Sequence, residues 1–185
     1  MNIFYLDQDI SKCVQYHVDS HVRKMILEYT QLLSAAYYQG LGNVWRVYDP
    51  VLDSESKGIV KYKCVVRNPN QPEFRIYAKT HYNHPSSIWT RTNINNWLYL
   101  YKLAIALCGE FQYRFGNNHK TLDILQNMVP PILPDLPFYQ PSQAMPDEYK
   151  NVDSITAYRK YYIEAKPHLH AYTKREFPSW LQTSK

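Results

Sequence analysis

The sequence predicts a mainly α fold, a compact helical domain built on two long helices with a small β-hairpin insertion and a Pro-rich extended wrap. Three observations carry this reading. Apolar residues recur at helical spacing over two long stretches, 9–38 and 85–116; two β-branched or aromatic runs flank NPNQP; and six prolines fall between 130 and 146.

In chain order, MNIFYL (1–6) is apolar and β-prone and predicts a short buried lead-in, as coil or strand, that sets the amino terminus against the body. From Asp9 to about Tyr38 the helical face is Ile10, Val14, Val18, Val22, Met25, Tyr29, Leu32, Leu33 and Ala36, with Gly40 and Gly42 as stop signals. Residues 43–57 read as irregular around Pro50 and a Ser/Asp/Glu cluster. GIVKYKCVV (58–66) and EFRIYAKT (73–80) predict the hairpin, about 58–80. Pro85, Ser86 and Ser87 open a second long helix, whose stripe of Ile94, Trp97, Leu98, Tyr101, Ile105, Cys108, Phe111 and Phe115 runs down to Gly116. A short helix at about 120–128 precedes the wrap, 129–147, because so many prolines exclude regular structure. Asp153 or Ser154 caps a last helix, about 154–166, before the tail FPSW.

At 185 residues the chain is sized for one domain, 1–185, with enough apolar content for a core. No stretch approaches the roughly 20 apolar residues of a membrane span, and MNIFYLDQD has neither the basic nor the apolar region of a signal peptide. Cys13, Cys64 and Cys108 are odd in number and lack a CxxC, so three packed, reduced thiols and a cytoplasmic address are expected, with no membrane partner. The net charge of +5 suits an anionic partner, and equally a solvated lysine-rich face.

Three segments carry candidate chemistry. On the first helix His17, His21, Lys24 and Glu28 follow one another by four, three and four residues and line one face. Such a stripe is either an active surface or a solvated ridge with an ordinary Lys–Glu pair. In THYNHPSSIWTR (80–91), His81 and His84 stand at a helix start, where free amides and the helix dipole attract anions. Arg91 is one turn in and suited to a bidentate phosphate contact, and Asn83, Asn93, Asn95 and Asn96 are amides able to read a base edge or to serve as caps. In RFGNNHK (114–120), Arg114, His119 and Lys120 surround a turn that also reads as a helix C-cap. His17 and His21 at i,i+4 raise a metal-dependent hydrolase as a further reading, but HVDSH lacks the glutamate of HExxH, and no metal site or cofactor is expected. GxxxxGK[ST], GxGxxG and GxSxG are absent, which disfavours NTP hydrolysis, dinucleotide redox chemistry and hydrolase-fold esterase chemistry.

The order of these features, with YNHPS (82–86) and a Lys-rich last helix running into Pro178 and Trp180, resembles the pyrimidine-dimer DNA glycosylase family of the phage endonuclease V type. MNIFYLD, HxDxHxxKMxxE and NHPSxxW are also similar to uncharacterised proteins of tailed phages. The resemblance implies an all-helical fold, attack on a deoxyribose C1′ by the amino-terminal amine of Met1 to give a Schiff base, an assisting carboxylate on the first helix, and basic side chains on phosphates. Amine catalysis needs a neutral amine, and His17, His21 and Lys24 would supply the positive field that lowers its pKa. Glu28 is the carboxylate of the stripe and takes the acid/base or oxocarbenium-stabilising role. Aligned from the helix starts, the family carboxylate falls nearer Lys24, which would itself be the Schiff-base nucleophile if buried. The hairpin at 58–80 and the Met1–Asn2 start depart from the family.

The leading expectation is thus an enzyme on a nucleic-acid base or nucleotide. Its catalytic candidates are Met1, His17, His21, Lys24 and Glu28, and its substrate- or phosphate-binding candidates are Asn83, His84, Trp89, Arg91, Asn95, Arg114, His119 and Lys120. Tyr37, Tyr38, Trp45, Trp89 or Trp97 would wall in an extruded base. The alternative is a non-catalytic module that binds nucleic acid or sequesters a nucleotide, with salt-dependent affinity and no turnover.

Overall fold

A computed structural model of the chain describes residues 1–39, 43–48, 62–69 and 71–182. The start of the chain is extended and paired with no strand, yet Ile3, Phe4, Tyr5 and Leu6 are among its most buried residues. Side chains satisfy its backbone: the Phe4 amide donates to the Tyr29 hydroxyl (3.1 Å), the Cys13 thiol donates to the Phe4 carbonyl (3.4 Å), and Arg159 donates to the Leu6 carbonyl (2.8 Å). Burial of such a segment is tolerable only because its polar groups are partnered.

Helix α1 (Ile10–Gln15) is capped by the Asp9 carboxylate, which accepts from the Lys12 amide, and α2 spans Asp19–Ala35. The continuous helix expected from the periodicity is therefore broken at residues 16–18. The break is imposed from outside, by the Arg114 guanidinium, which donates to the carbonyls of Gln15 (2.8 Å) and His17 (2.9 Å) and to the carboxylate of Asp19 (2.9 Å). Three hydrogen bonds from one rigid fork outcompete one more turn of β-branched helix around Val14 and Val18. A 3-10 turn, Ala36–Gln39, ends α2; the stop signals Gly40 and Gly42 lie outside the described residues, as do Pro50 and 58–61.

A three-stranded antiparallel sheet follows, ordered β1 (Val44–Tyr48), β2 (Tyr62–Val66), β3 (Phe74–Ile76). The β2–β3 hairpin matches the expectation, whereas β1 corrects it: VWRVY was read as irregular and is a strand registered Trp45↔Val65 and Tyr48↔Tyr62. Cys64, Val66, Phe74 and Ile76 face the core.

The second long helical stretch is also interrupted. Helix α3 (Pro85–Thr92) and helix α4 (Ile94–Phe115) are separated by Asn93, whose backbone is extended and whose side chain accepts from the Asn96 amide (2.8 Å). The first amide of α4, Ile94, donates to the Pro134 carbonyl (2.9 Å), so the wrap completes the cap. Gly116, at φ 80°, closes α4 in the left-handed region. Helix α5 is Leu122–Gln126, the Pro-rich wrap has no regular structure, α6 (Ser154–Ala165) is capped by Asp153, and the tail ends in α7 (Ser179–Gln182). The chain is mainly α with this one small sheet among the described residues.

Helices α2 and α4 pack on each other, and both contact α3. Fully buried Trp89, Trp97, Tyr29, Tyr158 and Tyr162 fill the core between them, the amino-terminal segment and α6; a fully buried large apolar side chain contributes roughly 1.5–3 kcal/mol. Among the described residues no helix is long and apolar enough to cross a membrane.

Candidate active site at the amino terminus

The buried lead-in delivers Met1 to the start of α3, where the Ser86 hydroxyl donates to the Met1 carbonyl (2.9 Å). His84 is the N-cap of that helix: its Nδ1 accepts from the Ser86 amide (3.1 Å), which leaves the proton of the neutral ring on Nε2. Three charges act on His84, those of the Met1 amine, His81 and Glu28; burial first, then the amine and His81, hold its pKa below the ordinary imidazole value, while Glu28 opposes them. Glu28 projects from α2 with its side chain only 14% exposed and pairs with Lys24 at 3.1 Å. The amine and the Glu28 carboxylate, drawn from two other parts of the chain, thus both act electrostatically on the His84 imidazole. His81, held at φ 48° with its Nδ1 on the Thr80 hydroxyl (2.7 Å), borders it, and Asn83 is exposed beside it.

The stripe on the first helix divides. His17 lies in the α1–α2 break, fully buried, with Nδ1 donating to the Cys13 carbonyl (2.8 Å) and Nε2 accepting from the Tyr29 hydroxyl (3.2 Å). Both nitrogens are engaged inside the core, which leaves His17 no free nitrogen to offer a substrate or a metal, unlike the expected active surface. Burial lowers its pKa to about 4. His21 stacks on Phe4 (centroids 4.2 Å apart) and shares a 2.5 Å hydrogen bond with the Tyr162 hydroxyl; burial, then the charges of His17, Lys166 and Lys24, lower its pKa to about 3. Burial thus holds both imidazoles toward the neutral form, against the expectation that they add positive field at the amine. Lys24 is 70% exposed, which removes the burial that a Schiff-base lysine needs. Lys166, just beyond α6, was not singled out by sequence; only the tertiary fold sets its charge near His21.

Several expected phosphate or base contacts are structural instead. Trp89 is buried and donates to the Tyr139 carbonyl (3.1 Å), and Arg91 donates to Tyr82 (2.5 Å) and Ser87 while covering the Tyr82 ring at 3.9 Å. Asn95 binds Asp135 (3.0 Å) and the Leu136 carbonyl (2.7 Å), tying the wrap to α4, and buried Asn96 links α3 to the same segment. Arg114, 2% exposed, is saturated by Glu110, Asp19 and two carbonyls. His119 bridges the Arg23 carbonyl and the Thr121 amide, and burial lowers its pKa. Lys120 is exposed on a separate cleft with Arg75, Tyr77 and Asn127. Of the proposed stacking walls, Tyr37 and Trp97 are buried, and Trp45 is exposed on the sheet.

Among the described residues no group of three or more His, Cys, Asp or Glu is arranged to hold a metal ion. Cys13, Cys64 and Cys108 are buried and free, with burial pushing the Cys13 thiol up to about 11. Comparison with protein-family models, with curated proteins and with solved structures finds no match for this chain.

Proposed function

We propose that this protein is an enzyme acting on a nucleic-acid base or nucleotide, with a DNA glycosylase/lyase-like activity carried by the Met1 amine. One observation supports this most: a first residue anchored on α3 whose amine, together with the largely buried carboxylate of Glu28, acts electrostatically on His84. The reading treats α1–α2 and α3–α4 as the two long arms of the fold, meeting at this corner.

In this reading the amine nitrogen attacks C1′ of the deoxyribose. The C1′–base bond breaks, the base leaves with its electron pair and takes a proton, and ring opening gives a Schiff base. Glu28 accepts the proton lost by the attacking amine and offsets the positive charge that develops at C1′. In the same reading His84, with its proton on Nε2, donates to the departing base or to a phosphate.

Borohydride trapping on DNA carrying abasic or modified sites tests this. A covalent adduct is expected with the untagged protein, abolished by blocking the α-amine, and formed roughly 100-fold or more slowly by Glu28→Gln at nearly unchanged DNA affinity. The absence of an adduct on every such substrate would remove the amine mechanism and leave the binding-module reading.

A further inference from the structure

The outward face of the sheet is built as a second, separate contact. Strand alternation and register put Trp45, Val65 and Arg75 in one row across the three strands, with Lys63 opposite Val47 beside it; Val65 in the middle of the row is buried, and the row is open at Trp45 and Arg75. The opposite face, with Val66, Phe74 and Ile76, is the one against the core. On the outward face the Trp45 indole is 52% exposed, and the Arg67 guanidinium sits 5.7 Å from its ring centre. Arg75 is exposed and also borders the cleft that holds Lys120. Among the described residues, Lys63, Arg67 and Arg75 stand beside Glu73, which pairs with Arg67 at 2.6 Å, and the cleft that Arg75 shares with Lys120 also holds Asp123, so these four cations exceed the two carboxylates around an exposed indole.

We infer that this face binds single-stranded nucleic acid, one base stacking on Trp45 and the flanking phosphates lying along Lys63, Arg67 and Arg75. Charge complementarity selects a polyanion. The exposed indole selects one whose bases are free to stack, which a duplex withholds. An apolar protein partner would leave these cations unpaired. The inference uses no residue of the amino-terminal site and stands whether or not the amine is catalytic.

Fluorescence titrations with oligo(dT), oligo(rU) and duplex DNA test it, the two oligomers distinguishing DNA from RNA as the source of the strand. Tryptophan emission is expected to be quenched on binding either oligomer, and duplex is expected to compete poorly. Trp45→Ala weakens binding by ~10-fold or more, whereas Trp45→Phe keeps most of the affinity and loses the quenching. Arg75→Gln lowers the slope of log affinity against log salt by about 0.7. Because Trp45 and Arg75 are exposed, unchanged thermal melts will certify the fold of each variant. Wild-type affinity in Trp45→Ala, equal competition by duplex, or no binding of either oligomer overturns the inference. Failed borohydride trapping with intact oligomer binding refutes only the amine mechanism.

Discussion

The chemistry of single residues here turns on which imidazole is buried. His17 is held neutral in the core, its pKa lowered to about 4 from an ordinary 6.5. The unfolded chain therefore binds a proton that the folded chain refuses. The stability this carries is complete above pH 6.5 and is lost as the pH falls from 6.5 toward 4. His21 acts in the same direction. The loss from His17 is on the order of 3 kcal/mol, and it precedes the carboxylate losses, since Asp19 and Glu110 are held below their ordinary values by Thr173, Arg114 and Arg175 against the opposing cost of burial. Thermal melts across this range should show the midpoint falling well before the carboxylates titrate. His17→Gln is expected to be less stable at pH 7 and flatter between pH 6.5 and 4; a slope equal to that of the wild type would show that His17 is not the group responsible.

At the scale of elements, Arg114 decides where the first helix stops. It is fully buried as a side chain and spends its fork on Glu110 (2.7 Å), Asp19 and the carbonyls of Gln15 and His17. Removing one partner from such a network leaves a buried carboxylate underpaired, so Arg114→Met should cost about 3–5 kcal/mol in urea unfolding. Arg114→Lys should recover little, because one ammonium cannot reach four acceptors. A loss below about 1 kcal/mol would contradict this account of the break. The break was not legible in the sequence, because the apolar pattern runs through it from Val14 to Val22 and its cause lies far along the chain. The Asn93 interruption left a local signal, a capping asparagine three residues before Asn96, that the long apolar stripe overrode. Strand β1 was missed because its partner lies across a long connection, while the β2–β3 hairpin, the wrap and α6 were legible from local turns and caps. At the site, the sequence singles out Glu28 by its spacing and His84 by the NHP turn, and Met1 only through the family resemblance. Arg91, Arg114 and Asn95 were misread because cations and amides satisfied by distant carbonyls look the same in sequence as those that await a ligand.

For the whole molecule, the lead-in and the segment after α6 close the fold. The lead-in lies under α6, with Arg159 gripping Asp7 and the Leu6 carbonyl. The last segment then returns to the α1–α2 junction: the Asp19 amide donates to Ala171, the Asp19 carboxylate accepts from Thr173, Tyr172 donates to Tyr16, and Arg175 pairs with Glu110 at 2.8 Å. Glu110 is thus clamped between two arginines of different burial, Arg114 with a fully buried side chain and Arg175 with one 27% exposed. The half-exposed member can be replaced by water and the buried one cannot. Arg175→Ala should therefore cost only about 1 kcal/mol in global stability, with the change concentrated in the tail. Native-state hydrogen exchange should show the amides of Asp19 and Thr173, both bonded across this seam, exchanging faster, while those of Phe4 and Leu6 keep their protection. Faster exchange at Phe4 and Leu6 as well would mean that the two segments open together, and that the amino-terminal site depends on the tail for its shape.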